Sequence, residues 1–282
     1  MDEESARLIR RLHEWLDALQ PWRPTTPDAA DLAASAAWRF DGRCLLPVPH
    51  ADPVRLSDLL GVERQKAELQ RNTLQFLAGR SANHVLLTGA RGTGKSTLVK
   101  ALLNEHAAQG LRLIEVERAQ LAALPILGEA LRSRPERIIV FSDDLSFEAG
   151  DAGYKALKSA LDGGLAVLPD NVLIYATSNR RHLMPDFMRD NLEARHAGGE
   201  IHPAEGTEEK LSLAERFGLW LSFYPFDQDD YLAIAAHWVR RLGADWNEAA
   251  HGAALQWALS RGARSGRVAR QFARDWAGRH TH

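Results

Sequence analysis

The chain has 282 residues, 45% of them hydrophobic, enough for one large or two modest domains around a proper core. A formal net charge of −2 excludes a global basic field of the kind that draws in nucleic acid, leaving only a local patch for such a role. The single cysteine, Cys44, excludes an intrachain disulfide and fits a reducing, cytoplasmic compartment. The acidic start Met1-Asp2-Glu3-Glu4-Ser5 lacks the apolar run of a signal peptide, and no stretch reaches the length of a membrane span.

Residues 1–20 read as an amphipathic helix, with Leu8, Leu12, Trp15, Leu16 and Leu19 on one face. Pro21, Pro24 and Pro27 end it, and residues 28–56, with Pro47, Pro49 and Pro53, read as irregular. Trp22 and Trp38 fall in this region, which is expected either to dock a partner or to cover a sheet. Asp58 to Leu77 reads as a helix ending at Gly79. From His84 strands and helices alternate, the signature of a parallel sheet with crossover helices. The strands are expected at 84–88, 111–116, 137–142, 171–176 and 218–223, several of them apolar throughout, as for strands covered on both faces. The polar stretch 184–210 reads as a long loop. After Pro225 the strand signals stop, and 227–242, 247–261 and 266–277 read as three helices. Trp220, Trp238, Trp257 and Trp276 fall in apolar-patterned segments and are expected in the core. The chain thus divides into an extension over 1–54, an α/β domain over 55–225 and a helical domain over 226–282.

Between the first strand and its helix lies Gly89-Ala90-Arg91-Gly92-Thr93-Gly94-Lys95-Ser96, followed by Thr97. It fits G-x-x-x-x-G-K-[ST], in which glycines let successive N–H groups line an anion cradle. The following helix adds the positive end of its dipole, the lysine reaches the β- and γ-phosphates and the hydroxyl meets Mg²⁺. The apolar strand Ile138 to Ser142 ends in Asp143 and Asp144, which places Asp143 for the metal and Asp144 to orient or deprotonate an attacking water. Val172 to Ser178 ends in Asn179, a candidate for the γ-phosphate or the water and equally a residue that favours turns. Arg216 closes a short helical segment, Leu211 to Arg216, and either projects toward a neighbouring subunit's nucleotide or is a solvated helix end. In the basic run Arg261 to Phe272, Ser265 can cap a helix whose first turn holds Arg267. An arginine there opposes the dipole, which points to an anionic target: a γ-phosphate or nucleic acid.

In this order the elements resemble the AAA+ ATPases, over roughly residues 55–275. Within them the chain most resembles a bacterial group, through Phe141-Ser142-Asp143-Asp144-Leu145-Ser146-Phe147-Glu148, Ala176-Thr177-Ser178-Asn179-Arg180-Arg181-His182-Leu183 and Arg216-Phe217-Gly218-Leu219-Trp220-Leu221-Ser222-Phe223. The resemblance implies an α/β three-layer P-loop NTPase fold with a small all-helical lid. It assigns Gly89 to Ser96 to Walker A, Asp143-Asp144 to Walker B, Asn179 to sensor 1, Arg216 to the arginine finger and Arg267 to sensor 2. It also places Leu59-Leu60-Gly61-Val62 against adenine, Leu60 and Gly61 as contacts. ATP, Mg²⁺ and a homo-oligomeric ring or spiral, a hexamer above all, are implied with it, together with an unspecified protein partner; nucleic acid stays open.

Two departures matter. The family's second Walker B acid is usually glutamate; Asp144 is one methylene shorter, which sets its carboxylate ~1.5 Å back. Misplacement of about 1 Å can cost ~10²-fold in rate. Ring unfoldases place an aromatic tip after the second strand, where this chain has Glu117-Arg118-Ala119-Gln120-Leu121, so no threading of polypeptide is expected. Three functions compete: an ATPase that assembles with or remodels a macromolecular partner, a nucleotide-dependent switch with negligible hydrolysis, and a small-molecule P-loop kinase, against which the helical C-terminal region and Arg267 argue.

Overall fold

The structure, a computed structural model, describes residues 26–27, 30–145, 152–162, 168–179, 213 and 215–280. The expected helix over 1–20, the loop over 184–210, Trp22 and half of Leu211 to Arg216 lie outside these, as do Ser146 to Glu148 and Arg180 to Leu183.

Among the described residues seven strands form one sheet: β1 (Ala37–Phe40), β2 (Leu45–Pro47), β3 (Val85–Gly89), β4 (Leu111–Val116), β5 (Arg137–Ser142), β6 (Val172–Ser178) and β7 (Leu219–Phe223). Their order is β2-β1-β4-β5-β6-β3-β7, parallel except for the β1–β2 hairpin. Side chains alternate between faces, as the two-residue strand period demands. Val85, Leu87, Ile139, Phe141, Leu173 and Tyr175 enter one core, and Leu86, Ile138, Val140, Val172 and Ile174 the other. Helices α1 (Glu63–Leu77) and α2 (Lys95–His106) cover the first face through Leu69, Phe76, Leu98 and Leu102. Helices α3 (Leu124–Leu131) and α4 (Ala152–Asp162) cover the second through Leu127, Leu131, Tyr154 and Leu157. With both faces covered, the central strands are built mostly of apolar residues, as in Ile138 to Phe141 of β5 and Val172 to Ala176 of β6, and five of the seven strands are legible in the sequence.

Residues 28–56 are not irregular throughout. Asp41-Gly42 turns β1 into β2: the Asp41 carboxylate accepts from the backbone N–H of Arg43 (2.9 Å) and Cys44 (2.7 Å), and Gly42 takes φ +101°. Those two N–H donors hold the Asp41 carboxyl below its ordinary pKa. Trp38 is therefore a core residue, 4% exposed, its indole N–H donating to the Ser35 carbonyl at 2.9 Å. The helix expected from Asp58 also starts later. Leu56–Asp58 is a single 3-10 turn, and Gly61 at φ +73° breaks the helical path before Glu63.

Beyond Phe226, α5 (Gln228–Arg241), α6 (Glu248–Arg261) and α7 (Gly266–His280) form the helical C-terminal region. Asp227 and Asn247 cap α5 and α6 by accepting from the N–H of Asp230 and Ala250. Tyr231, Ile234, Ala269 and Phe272 join the first core through Leu59, Val62 and Phe226. Trp238 is buried there, while Trp257 and Trp276 pack half-buried against it; Trp220 packs half-buried against the second core. Among the described residues no helix is long and apolar enough to cross a membrane.

Candidate functional site

The loop from Gly89 to Ser96 joins the end of β3 to α2, so its backbone opens at the sheet's C-terminal edge. Its glycines are required for different reasons. A Cβ on Gly89 would lie 1.9 Å from the Phe223 carbonyl oxygen of β7, at φ +130°. Gly92 (φ +76°) packs against Ser265 and Arg267, and Gly94 (φ +98°) against Leu59. The Thr93 hydroxyl closes the loop by donating to the Ala90 carbonyl at 2.8 Å.

A cleft of about 670 Å³ opens above this loop. Arg91 to Thr97, Asp143, Asp144 and Asn179 form its polar floor. Leu59, Leu60, Val62, Phe226, Ile234 and Trp238 form an apolar end, and Arg267, Arg270 and Arg274 of α7 a cationic wall. Gly61 is not in the lining; its place is against the Phe226 ring, 3.0 Å from where a Cβ would stand.

The floor is tightly connected. Lys95 Nζ donates to the Gly89 carbonyl (2.9 Å), the Ala90 carbonyl (2.8 Å) and Asn179 Oδ1 (3.0 Å). Asn179 Nδ2 donates to Asp144 Oδ1 at 2.7 Å, so one amide bridges the loop lysine and the second acid. The Ser96 hydroxyl donates to Asp143 Oδ1 at 2.5 Å, and the Thr177 hydroxyl donates to the same oxygen. Thr177 in turn accepts from the Asp144 N–H at 2.8 Å, and its carbonyl accepts from the Leu145 N–H at 2.7 Å. These contacts pin the end of β5 to β6 and turn Asp144 to φ +55°, the one positive φ outside glycine among the described residues. Arg91 lies 3.9 Å from Asp144, both exposed. Burial pulls the Lys95 ammonium below its ordinary pKa; Asp143 and Asp144 oppose this, while Arg267 and Arg91 reinforce it.

Arg216 is not in the cleft. β7 runs parallel to β3 with Leu219 opposite Val85, so Arg216, just upstream, stands at the sheet end remote from the loop. At 3.3 Å per strand residue that is ~15 Å or more from Gly89. There its Nε pairs with the Asp162 carboxylate at the end of α4.

Several site residues carried no readable sequence signal. Thr177 looks like ordinary strand-end polarity. Ile234, Trp238, Phe226, Arg270 and Arg274 reach the cleft only because the lid folds back over it. The linker before α1 is clasped to that lid: Asp52 accepts from Arg270 at 3.1 Å, and buried Asp58 pairs with His237 (3.1 Å) and Arg241. Arg270 also lies over the Trp238 ring at 4.5 Å.

The parallel order β4-β5-β6-β3-β7, with the phosphate loop on β3, paired acids on β5, Asn179 after β6 and a helical lid, defines an AAA+ P-loop protein. The chain belongs to the family described as "Protein of unknown function (DUF815)", whose model matches residues 31–280. It is similar to the replication factor C large subunit of Methanococcus aeolicus, 23% identical over 205 residues, which span 58% of this chain and 43% of that protein. Among solved structures, a Thermotoga maritima RuvB variant aligns with a TM-score of 0.51 at 18% identity, covering 78% of this chain and 64% of that one. A chain of the E. coli MS115-1 HORMA:CdnC:Trip13 complex aligns at 0.50 and 14% identity, covering 81% and 93%. The chain thus spans about two thirds of the RuvB variant and less than half of the archaeal relative.

Proposed function

We propose that the protein binds ATP with Mg²⁺ and couples ATP binding and hydrolysis to assembly with, and remodelling or loading of, a macromolecular partner in the cytoplasm. The observation that carries this is the convergence of Lys95, Ser96, Asp143, Asp144 and Asn179 on one loop beneath a half-apolar cleft.

The donor set fits the nucleotide and its ion. Gly92 and Gly94 adopt conformations that a Cβ would strain, which leaves the loop backbone open to phosphate. Ser96 and Asp143 bring two hard oxygens together, and among the described residues no cluster of three or more His, Cys, Asp or Glu offers a cage. One carboxylate and one hydroxyl, completed by phosphates and water, suit Mg²⁺, which would neutralise charge developing on the phosphates. Lys95 would exchange its carbonyl partners for phosphate oxygens, and Leu60, Val62, Ile234 and Trp238 would enclose the base. Asp144 would orient the attacking water and Asn179 would hold Asp144 in place. Arg267 would approach the γ-phosphate from the lid. The residues after β4 form a 3-10 turn over Arg118–Ala123 with Leu121 buried, which supports a role other than threading polypeptide.

Arg216, remote from its own cleft, would act on a neighbour's nucleotide in a homo-oligomeric ring or spiral. The name of the archaeal relative makes DNA, duplex and single-stranded, the first partner to assay across a salt titration with and without ATP. One observation favours a second reading, a switch with negligible hydrolysis: the short Asp144 carboxylate is already held by Asn179 and approached by Arg91. Steady-state phosphate release from wild type, Asp144→Glu and Lys95→Ala separates the two. The ATPase reading expects wild type well above Lys95→Ala; equality, with Asp144→Glu active, would establish the switch.

A further inference from the structure

We infer that Asp162 is the positioning residue for Arg216: its carboxylate seats the guanidinium at the subunit edge from which Arg216 serves a neighbour's nucleotide. The inference rests on the finger reading of Arg216 and adds what holds that side chain in place.

Three observations carry it. The two residues are far apart in sequence, yet their side chains meet through Arg216 Nε, with the pair half-buried at 24% and 39% side-chain exposure. Both ends of the pair are anchored in one core. Leu213 and Phe217, flanking Arg216, are buried at 5% and 4% in the same cluster as Tyr154, Leu157 and Ala160 of α4. The Arg216 N–H also donates to the Leu213 carbonyl at 3.2 Å, which fixes the backbone beneath the side chain. The carboxylate therefore stands in a rigid relation to the arginine it holds.

The chemistry explains the need. An arginine side chain carries about 2 kcal/mol of rotamer entropy, and a carboxylate at its Nε edge fixes the plane of the fork. That leaves the geometry of the Nη1–Nη2 edge, by which a guanidinium grips phosphate, set by α4 and not by chance rotamers. Half-exposed pairs contribute little to folding, so loss of Asp162 is expected to move geometry far more than stability. Displacement by about 1 Å at a reacting centre can cost ~10²-fold.

The test is steady-state ATP turnover, with thermal unfolding as a control, in Asp162→Ala, Asp162→Asn, Arg216→Ala and the double variant. The expected result for Asp162→Ala is a kcat loss of about 10- to 100-fold with KM unchanged and the thermal midpoint near wild type. Asp162→Asn, which keeps an acceptor, recovers part of the loss and covers the case in which the alanine variant folds poorly. In the Arg216→Ala background, Asp162→Ala adds nothing, because both changes remove one function. Mixing with Lys95→Ala subunits, whose own Arg216 is correctly seated, raises turnover per Asp162→Ala subunit. Full or raised turnover in Asp162→Ala beside a dead Arg216→Ala overturns the inference alone, as does a further loss in the double variant. Full turnover in Arg216→Ala overturns the finger reading itself.

Discussion

Gly92→Ala tests how the lid and the phosphate loop are joined. At Gly92, φ is +76°, and an added Cβ would stand 2.9 Å from Ser265 Oγ, 3.0 Å from Ser265 Cβ and 3.3 Å from Arg267 Cβ. Rotating the Ser265 hydroxyl away does not relieve this, because its Cβ is equally close. Ser265 is buried and caps α7 by accepting from the Val268 N–H at 3.3 Å. The left-handed conformation costs an alanine ~1–2 kcal/mol. Displacing the cap costs about 0.5–2 kcal/mol more. A total of about 1.5–4 kcal/mol is expected in urea unfolding followed by tryptophan fluorescence, with an unchanged m-value. Arg267 moves with the cap, so ATP affinity is expected to fall about tenfold or more, an equivalent of ~1.4 kcal/mol. The partner change Ser265→Gly removes the obstacle, and glycine is only a few tenths of a kcal/mol poorer as a cap. It should therefore recover the cap part of the loss in the Gly92→Ala background, leaving the left-handed backbone cost, while costing little alone. A Gly92→Ala protein as stable as wild type, or equal effects of Ser265→Gly in both backgrounds, would show that loop and cap are not in contact.

Three further outcomes follow from the same geometry. His84 is partly buried, its Nδ1 accepting from the Ile174 N–H at 3.0 Å, and desolvation lowers its pKa to about 4. A depressed histidine is stabilising above its unfolded pKa near 6.5, so unfolding free energy should fall by about 3 kcal/mol as pH drops from 6.5 to 4, and His84→Asn, which keeps an acceptor, should flatten that fall. Thr177→Val removes the hydroxyl that both donates to Asp143 and accepts from the Asp144 N–H. It is expected to weaken Mg²⁺-dependent nucleotide binding while leaving Mg²⁺-free binding near wild type, read by calorimetry with and without the ion; equal losses in both conditions would contradict this. Gly252→Ala, within α6 where a Cβ meets nothing within 4 Å, should stabilise by about 0.5–1 kcal/mol in thermal or urea unfolding.

The central strands are legible in the sequence because a strand covered on both faces is mostly apolar, and the phosphate loop because its chemistry fixes residue types at close spacing. The C-terminal helices showed in their periodicity and breaks. The β1–β2 hairpin was hidden among prolines, although Asp41-Gly42 between short apolar runs was the signal that could have revealed it. The late start of α1 follows from Gly61, whose backbone conformation a helical pattern does not register. At the site, residues adjacent to the loop or at strand ends were readable. Trp238 and Arg270 are not, because they reach the cleft only through tertiary contacts, and the pairing of Thr177 with Asp143 and of Asp162 with Arg216 likewise exists only in the folded chain.

Everything proposed for this protein depends on the loop and its acids holding nucleotide with a divalent ion. The most direct test is calorimetric titration of the full chain with ATP and Mg²⁺, beside Lys95→Ala. Saturable binding to wild type is predicted, weakening when Mg²⁺ is withheld and falling about 10- to 10²-fold in Lys95→Ala, since a buried charge-assisted contact contributes ~1.5–3 kcal/mol. Indistinguishable isotherms for wild type and Lys95→Ala, or no heat of binding at all, would contradict it.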